Sequence, residues 1–259
     1  MTKTSLKQQL TDKKRTMKDI YYEKPEFVDA YPDKIVEDKF STESGFVLSY
    51  RLLIPELEEG KKYPLIIHLH GAGSWAEDYT DLPGQCLMMM KKNYPAIVLV
   101  PKTNYPMKWA DHDWTKTEHH QTEAPLPSLQ ATYELVRHLL KTDSRLNAKR
   151  VYIIGQSMGG FGTWDFITRY RHIIAAAVPV CGGGDVDSMK KIVDLPVWTF
   201  HDGADDVVPV ENTRKLFAEL KRLGAPARYT EYNQVLHASW TPAYSDENLF
   251  RWLFQQTLN

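Results

Sequence analysis

Five short apolar runs recur from residue 64 onward: "PLIIHLHG", "AIVLVP", "RVYIIG", "AAAVPVCGG" and "PVWTFHDG". None alternates with polar residues, which is what strands covered on both faces require. Between them the apolar positions switch to helical spacing, predicting helices at 128–141, 158–170 and 210–223. Pro209 opens the last of these and Gly224 closes it, the residues that suit the two ends of a helix. "ARYTEYN" predicts a final strand, and "SDENLFRWLFQQTL" a final amphipathic helix capped by Ser245. Upstream, "KIVEDKFS" and "GFVLSYRLLIP" alternate and predict an antiparallel pair at a sheet edge. Strands alternating with helices imply right-handed crossovers. The expected fold class is therefore α/β: a mostly parallel central sheet, helices on both faces, and an antiparallel edge on the N-terminal side. Residues 1–44 read as a polar lead-in and 45–259 as one catalytic-sized domain.

The 32 Lys and Arg residues offset 33 Asp and Glu, a formal charge of -1, so nothing suggests attraction to nucleic acid or an anionic membrane. Cys86 and Cys181 lack metal or disulfide spacing and read as buried thiols. The lysine-rich start has no apolar core of a signal peptide, and no run approaches the ~18 apolar residues of a membrane span. The chain reads as cytoplasmic, or as secreted if a leader has been removed.

The chemistry concentrates at "VYIIGQSMGG", residues 151–160. A buried strand there turns directly into a helix, forcing the corner residue, Ser157, into strained dihedrals with its hydroxyl exposed. Gly155 and Gly159 remove the side chains that would clash. At a helix N-terminus, the Met158 N–H is placed to bind an oxyanion. A second donor is expected from "HLHGAG" on the neighbouring strand: Ala72, with Gly71 and Gly73 as alternatives. A serine needs a base, and the base needs a carboxylate to hold its tautomer. Only His237 follows the penultimate strand and precedes the last helix. The acid lies in "FHDGADDVVPV", where Asp205 is favoured over Asp202 and Asp206; Asp185 and Asp187 read as turn residues. His68, His70 and His201 sit on strands or at their ends and read as supports. The tryptophans Trp75, Trp109, Trp114 and Trp240 lie in loops expected near the serine, the first, second and last being candidate substrate contacts; Trp164, Trp198 and Trp252 read as core. The long segment 107–127 has the length of a functional lid. Its Asp111, His112, Asp113, His119 and His120 lack ligand spacing, so no metal is expected.

Taken together, "LHGAG", "GQSMGGFGTWD", "AAAVPVCGGGD", "HDGADDVVPV" and "LHASW" resemble the α/β-hydrolase superfamily, in particular its single-domain serine esterase branch of polyhydroxybutyrate-depolymerase-like, feruloyl-esterase-like and predicted-peptidase chains. The resemblance runs from about residue 45 to the end and is most specific at 151–184. It implies Ser157 as nucleophile, Asp205 as acid, His237 as base, Ala72 and Met158 as oxyanion donors, and no cofactor. The implied activity is carboxylic ester hydrolysis through an acyl-enzyme, and the indole faces of the loop tryptophans suit aromatic or carbohydrate esters, small or polymer-linked. Peptide hydrolysis and a non-catalytic ligand-binding role are the alternatives.

Overall fold

The computed structural model describes residues 34–75 and 93–258. Its centre is one eight-stranded sheet: β1 (Lys34–Ser41), β2 (Val47–Ile54), β3 (Tyr63–Leu69), β4 (Ile97–Lys102), β5 (Leu146–Gln156), β6 (Ala176–Val180), β7 (Val197–Asp202) and β8 (Ala227–Tyr232). The spatial order is β1-β2-β4-β3-β5-β6-β7-β8. β1 pairs antiparallel with β2 and β2 with β4, and every other pair is parallel. The mostly parallel sheet with an antiparallel N-terminal edge is thus the expected one. No helix among the described residues is long and apolar enough to cross a membrane.

Alternation along each strand divides the core into two layers. Leu65, Ile67, Leu69, Val151 and Ile153 face one side, where they pack with α1 (Pro127–Thr142), α2 (Met158–Tyr170) and α3 (Glu211–Arg222). Ile66, Val98, Tyr152, Ile154 and Val178 face the other, against α4 (Trp240–Ser245) and α5 (Glu247–Leu253). Both faces are covered, so β3 to β6 tolerate continuous apolar sequence. The helix expected over 245–258 covers only Glu247–Leu253, and a separate short helix, Trp240–Ser245, precedes it. Asp246, not Ser245, is the cap of the second, its side chain accepting from Asn248 N–H, while Ser245 donates its hydroxyl to Thr241 O within the helix before. Aspartate caps as well as serine does, so the sequence pattern did not separate them.

At the C-terminal end of α3, Gly224 takes φ 75°, as its position in the sequence suggested. The parallel strands β3, β5 and β7 end at residues 69, 156 and 202, so the loops carrying 70–75, 157 and 203–208 meet at one edge of the sheet. Cys86 and residues 1–33 lie outside the described residues.

Candidate active site

Ser157 stands between β5 and α2 with φ 55° and ψ -121°, a conformation outside the regions a serine ordinarily adopts. It is held there from both sides. Ser157 N–H donates to Val180 O (3.0 Å) on β6, and Phe161 N–H closes the first helical turn onto Ser157 O (3.1 Å). The flanking glycines are sterically required. A Cβ on Gly155 would lie 2.4 Å from Gly159 O, and one on Gly159 only 1.9 Å from Leu69 O.

Around that hydroxyl the structure brings together the other two residues singled out in the sequence. His237 Nε2 is 2.8 Å from Ser157 Oγ, and His237 Nδ1 is 2.8 Å from Asp205 Oδ2 and 3.0 Å from Oδ1. The carboxylate faces Nδ1, so that nitrogen carries the proton and Nε2 is free to accept one from the serine. Asp205 is itself fixed: Val207 and Val208 N–H both donate to Oδ1 at 2.9 Å, and His201 Nε2 lies 3.2 Å from Oδ2. Burial works against its ionisation, but hydrogen bonds from His201, His237 and the Val208 N–H outweigh it, and the carboxyl is held well below the usual range.

Asp202, a rival for the acid in sequence terms, has a different task. It is fully buried, and its carboxylate accepts from Ala204 N–H (2.8 Å), Gln234 N–H (2.8 Å) and Val235 N–H (2.9 Å). One side chain thus ties the acid loop to the segment that delivers His237. Leu236, between the two, is pushed to φ 51°. Asp206 makes no helix cap, and Asp185 instead caps the 3-10 turn at 186–192. Behind the triad lies Cys181, buried as expected, its thiol 3.7 Å from His237 O. Burial raises the pKa of this thiol well above its ordinary value. Among the described residues the one group of potential metal ligands is Cys181, Asp205 and His237, two of which already bond each other.

The loop after β3 is organised by His70. Its Nε2 accepts from Thr103 N–H (3.1 Å), so Nδ1 is the protonated nitrogen and donates to Gly71 O (2.8 Å). In a trans peptide the C=O and N–H point in opposite directions, so fixing Gly71 O against His70 turns Ala72 N–H the other way. A Cβ on Gly71 would sit 3.5 Å from Ser157 Cβ, so this backbone runs directly beside the nucleophile. Met158 is the first residue of α2, where N–H groups have no partner within the helix. The two expected oxyanion donors therefore belong to backbone segments that adjoin Ser157.

The tryptophans divide. Trp109 is fully buried, its ring over Gly162 and its indole N–H donating to His70 O (3.0 Å); it supports the 70–72 loop and does not line an open surface. That corrects the expectation of a substrate contact. A loop tryptophan looks the same in sequence whether it faces a ligand or the core. Trp240 stands edge-on to His237 with ring centroids 5.3 Å apart and is almost fully buried. Trp75 ends a 3-10 turn, and its side chain is outside the described residues. The 107–127 segment is pinned: Gln121 bonds Asp165, Thr168, Asp185, Ser188 and Lys191, and Arg169 reaches Thr122 O and Glu123 O. The sequence offered no sign of Gln121, a lone polar residue in a polar loop.

Burial lowers the pKa of His68, His70 and His112, each to about 4. In the unfolded chain each returns to about 6.5, so in that interval the unfolded state binds protons that the folded state does not. Their contribution to stability is present above about 6.5 and is lost as pH falls towards about 4, by up to ~1.4 kcal/mol per pH unit for each histidine. Urea unfolding should show a clearly lower midpoint at about pH 5 than at about pH 7.5; equal midpoints would contradict the burial of these imidazoles.

With this geometry in place, comparison with known proteins is decisive at the family level. Residues 56–246 match the phospholipase/carboxylesterase family model. The chain belongs to this family of α/β-hydrolases. A thermostable esterase of known structure superposes with TM-score 0.74 at 34% identity, over 87% of this chain and 64% of that one. A ferulic acid esterase superposes with TM-score 0.61 at 16% identity, over 85% of this chain and 98% of that one, a likeness of fold. An uncharacterized secreted protein of Arthroderma benhamiae is 26% identical in an alignment of 227 residues that covers 72% of this chain and 23% of that protein. The chain thus spans about a quarter of the length of that curated relative.

Proposed function

We propose that the protein is a serine hydrolase of carboxylic esters. The observation that carries this reading is the unbroken relay Asp205–His237–Ser157, with both imidazole links at 2.8 Å. Ser157 Oγ attacks the ester carbonyl carbon as its proton passes to His237 Nε2. The carbonyl oxygen becomes an oxyanion bound by Ala72 and Met158 N–H. Collapse of the tetrahedral intermediate breaks the bond to the alcohol, which leaves with the proton from His237. Water then gives its proton to His237, attacks the acyl-enzyme, and releases the acid and Ser157. Every step uses groups of this chain and water.

The substrate follows from how demanding the leaving group is. An alcohol leaves more readily than an amine, and family membership favours esters over peptides. The likeness to a ferulic acid esterase, with Trp240 edge-on to the base His237 at the start of α4, supports aromatic acyl groups over aliphatic ones. Assay of p-nitrophenyl acetate, a feruloyl ester, an acetylated sugar and an acylated peptide tests this. Turnover of the first two with little on the peptide is expected; turnover of the peptide alone would favour the peptidase alternative.

A further inference from the structure

Trp109 is wedged between the nucleophile's helix and the loop that follows β3. On the helix side it lies against α2, where a Cβ on Gly162 would come 2.4 Å from Trp109 Cβ. One turn earlier the same helix admits the end of β3: a Cβ on Gly159 would meet Leu69 O at 1.9 Å and His70 O at 2.8 Å. Residues three apart share a helix face, so the two glycines seat the strand end and the tryptophan side by side. There the indole turns to the strand end. Its Nε1–H donates to His70 O (3.0 Å), and its ring stands edge-on to the His70 ring with centroids 5.2 Å apart.

The bond falls where the sheet stops supplying one. β3 pairs with β5 as far as Leu69, opposite Gly155, so the carbonyl of His70 is the first beyond that ladder. The His70 imidazole then fixes the following peptide, Nδ1 donating to Gly71 O (2.8 Å). Two consecutive carbonyls are thereby held, one by the indole and one by the imidazole. In a trans peptide each carbonyl sets the direction of the N–H after it, here those of Gly71 and Ala72. Trp109 is anchored in turn, because Ser128 Oγ at the start of α1 donates to Lys108 O (2.5 Å). Packing over Gly162 asks only for a flat apolar ring; the indole N–H answers the carbonyl.

We propose that Trp109 is a positioning residue for the oxyanion hole: by holding the His70 carbonyl against α2, it sets the placement of Ala72 N–H relative to Met158 N–H. Being fully buried, it acts through the backbone and not on substrate. The inference rests on the esterase reading above, in which those two groups receive the oxyanion. The oxyanion exists only once Ser157 has attacked, so a misplaced donor weakens the transition state and leaves ester binding alone.

Trp109→Phe keeps a ring over Gly162 and removes the N–H. With active enzyme counted by fluorophosphonate titration, the variant should lose about 10- to 100-fold in kcat for p-nitrophenyl acetate and change KM by less than about twofold. Trifluoroacetone supplies the second readout. Ser157 Oγ adds to its carbonyl carbon, the proton passing to His237 and the carbonyl electron pair to oxygen, so the adduct carries the oxyanion. Its Ki should rise by the factor that kcat falls. A role in folding alone would lower the urea midpoint and leave kcat of titrated enzyme within about twofold of wild type, which overturns the proposal. So does a loss carried by KM, or a fall in kcat with the Ki for trifluoroacetone unchanged. Should Trp109→Phe fold poorly, benzothienylalanine at position 109, which keeps the indole outline with sulfur in place of N–H, is measured in the same way and judged by the same outcomes. A wild type that neither hydrolyses the acetate nor binds trifluoroacetone sinks the esterase reading itself, and this inference with it.

Discussion

Ser157→Ala is expected to lower kcat for p-nitrophenyl acetate by about 10⁵–10⁶-fold while leaving KM nearly unchanged. The hydroxyl is the atom that becomes acylated, and no other hydroxyl is bonded to His237 among the described residues. What survives should be the modest rate that the oxyanion donors and substrate binding provide by themselves, which in such triads is about 10³–10⁴-fold over water. Loss of the methylene-bound oxygen should not unfold the chain, because the strained corner is held by backbone bonds to Val180 and Phe161 rather than by the side chain. Circular dichroism of the variant should match wild type. A variant retaining more than about 1% of wild-type kcat would place the chemistry elsewhere.

Gly159→Ala is expected to produce the largest loss of stability of any single methyl addition near the site, about 4 kcal/mol or more, by urea unfolding. The added carbon would sit 1.9 Å from Leu69 O and 2.5 Å from Leu69 C, both backbone atoms of the central strand β3, which have no rotamer to yield. Relief requires α2 to withdraw from the sheet, and that moves Ser157 from the 71–73 backbone as well. Gly184→Ala is a useful contrast. Its added carbon would meet Trp164 Cβ at 3.1 Å, so a shift of a few tenths of an ångström suffices and the cost should be far smaller. Equal effects of the two substitutions would mean that the helix does not approach β3 as closely as described.

Both predictions begin from a motif that was legible in the sequence. A strand, a serine between two glycines and an immediate helix admit few geometries, because only the absence of Cβ atoms lets the backbones of β3, β5 and α2 touch. The sheet was legible for a related reason: strands covered on both faces must be continuously apolar, so β3 to β7 announced themselves, and the order of acid and base followed. Residues whose role depends on partners far along the chain were less legible. Asp202 and Asp205 are both acidic residues after one strand, and what separates them is that three backbone N–H groups converge on the first while imidazoles meet the second. Trp109 read as a pocket residue because burial of a loop is a tertiary property. His112 and His119 were read only as a poor metal set, since ring contacts with Phe161, far along the chain, leave no periodic trace.

Covalent labelling addresses the central claim most directly. Folded wild-type protein treated with a fluorophosphonate should gain one adduct on the peptide containing Ser157, and Ser157→Ala should gain none. Folded wild type that stays unlabelled, or that carries the adduct on another residue, would contradict a hydroxyl activated by His237 at this corner.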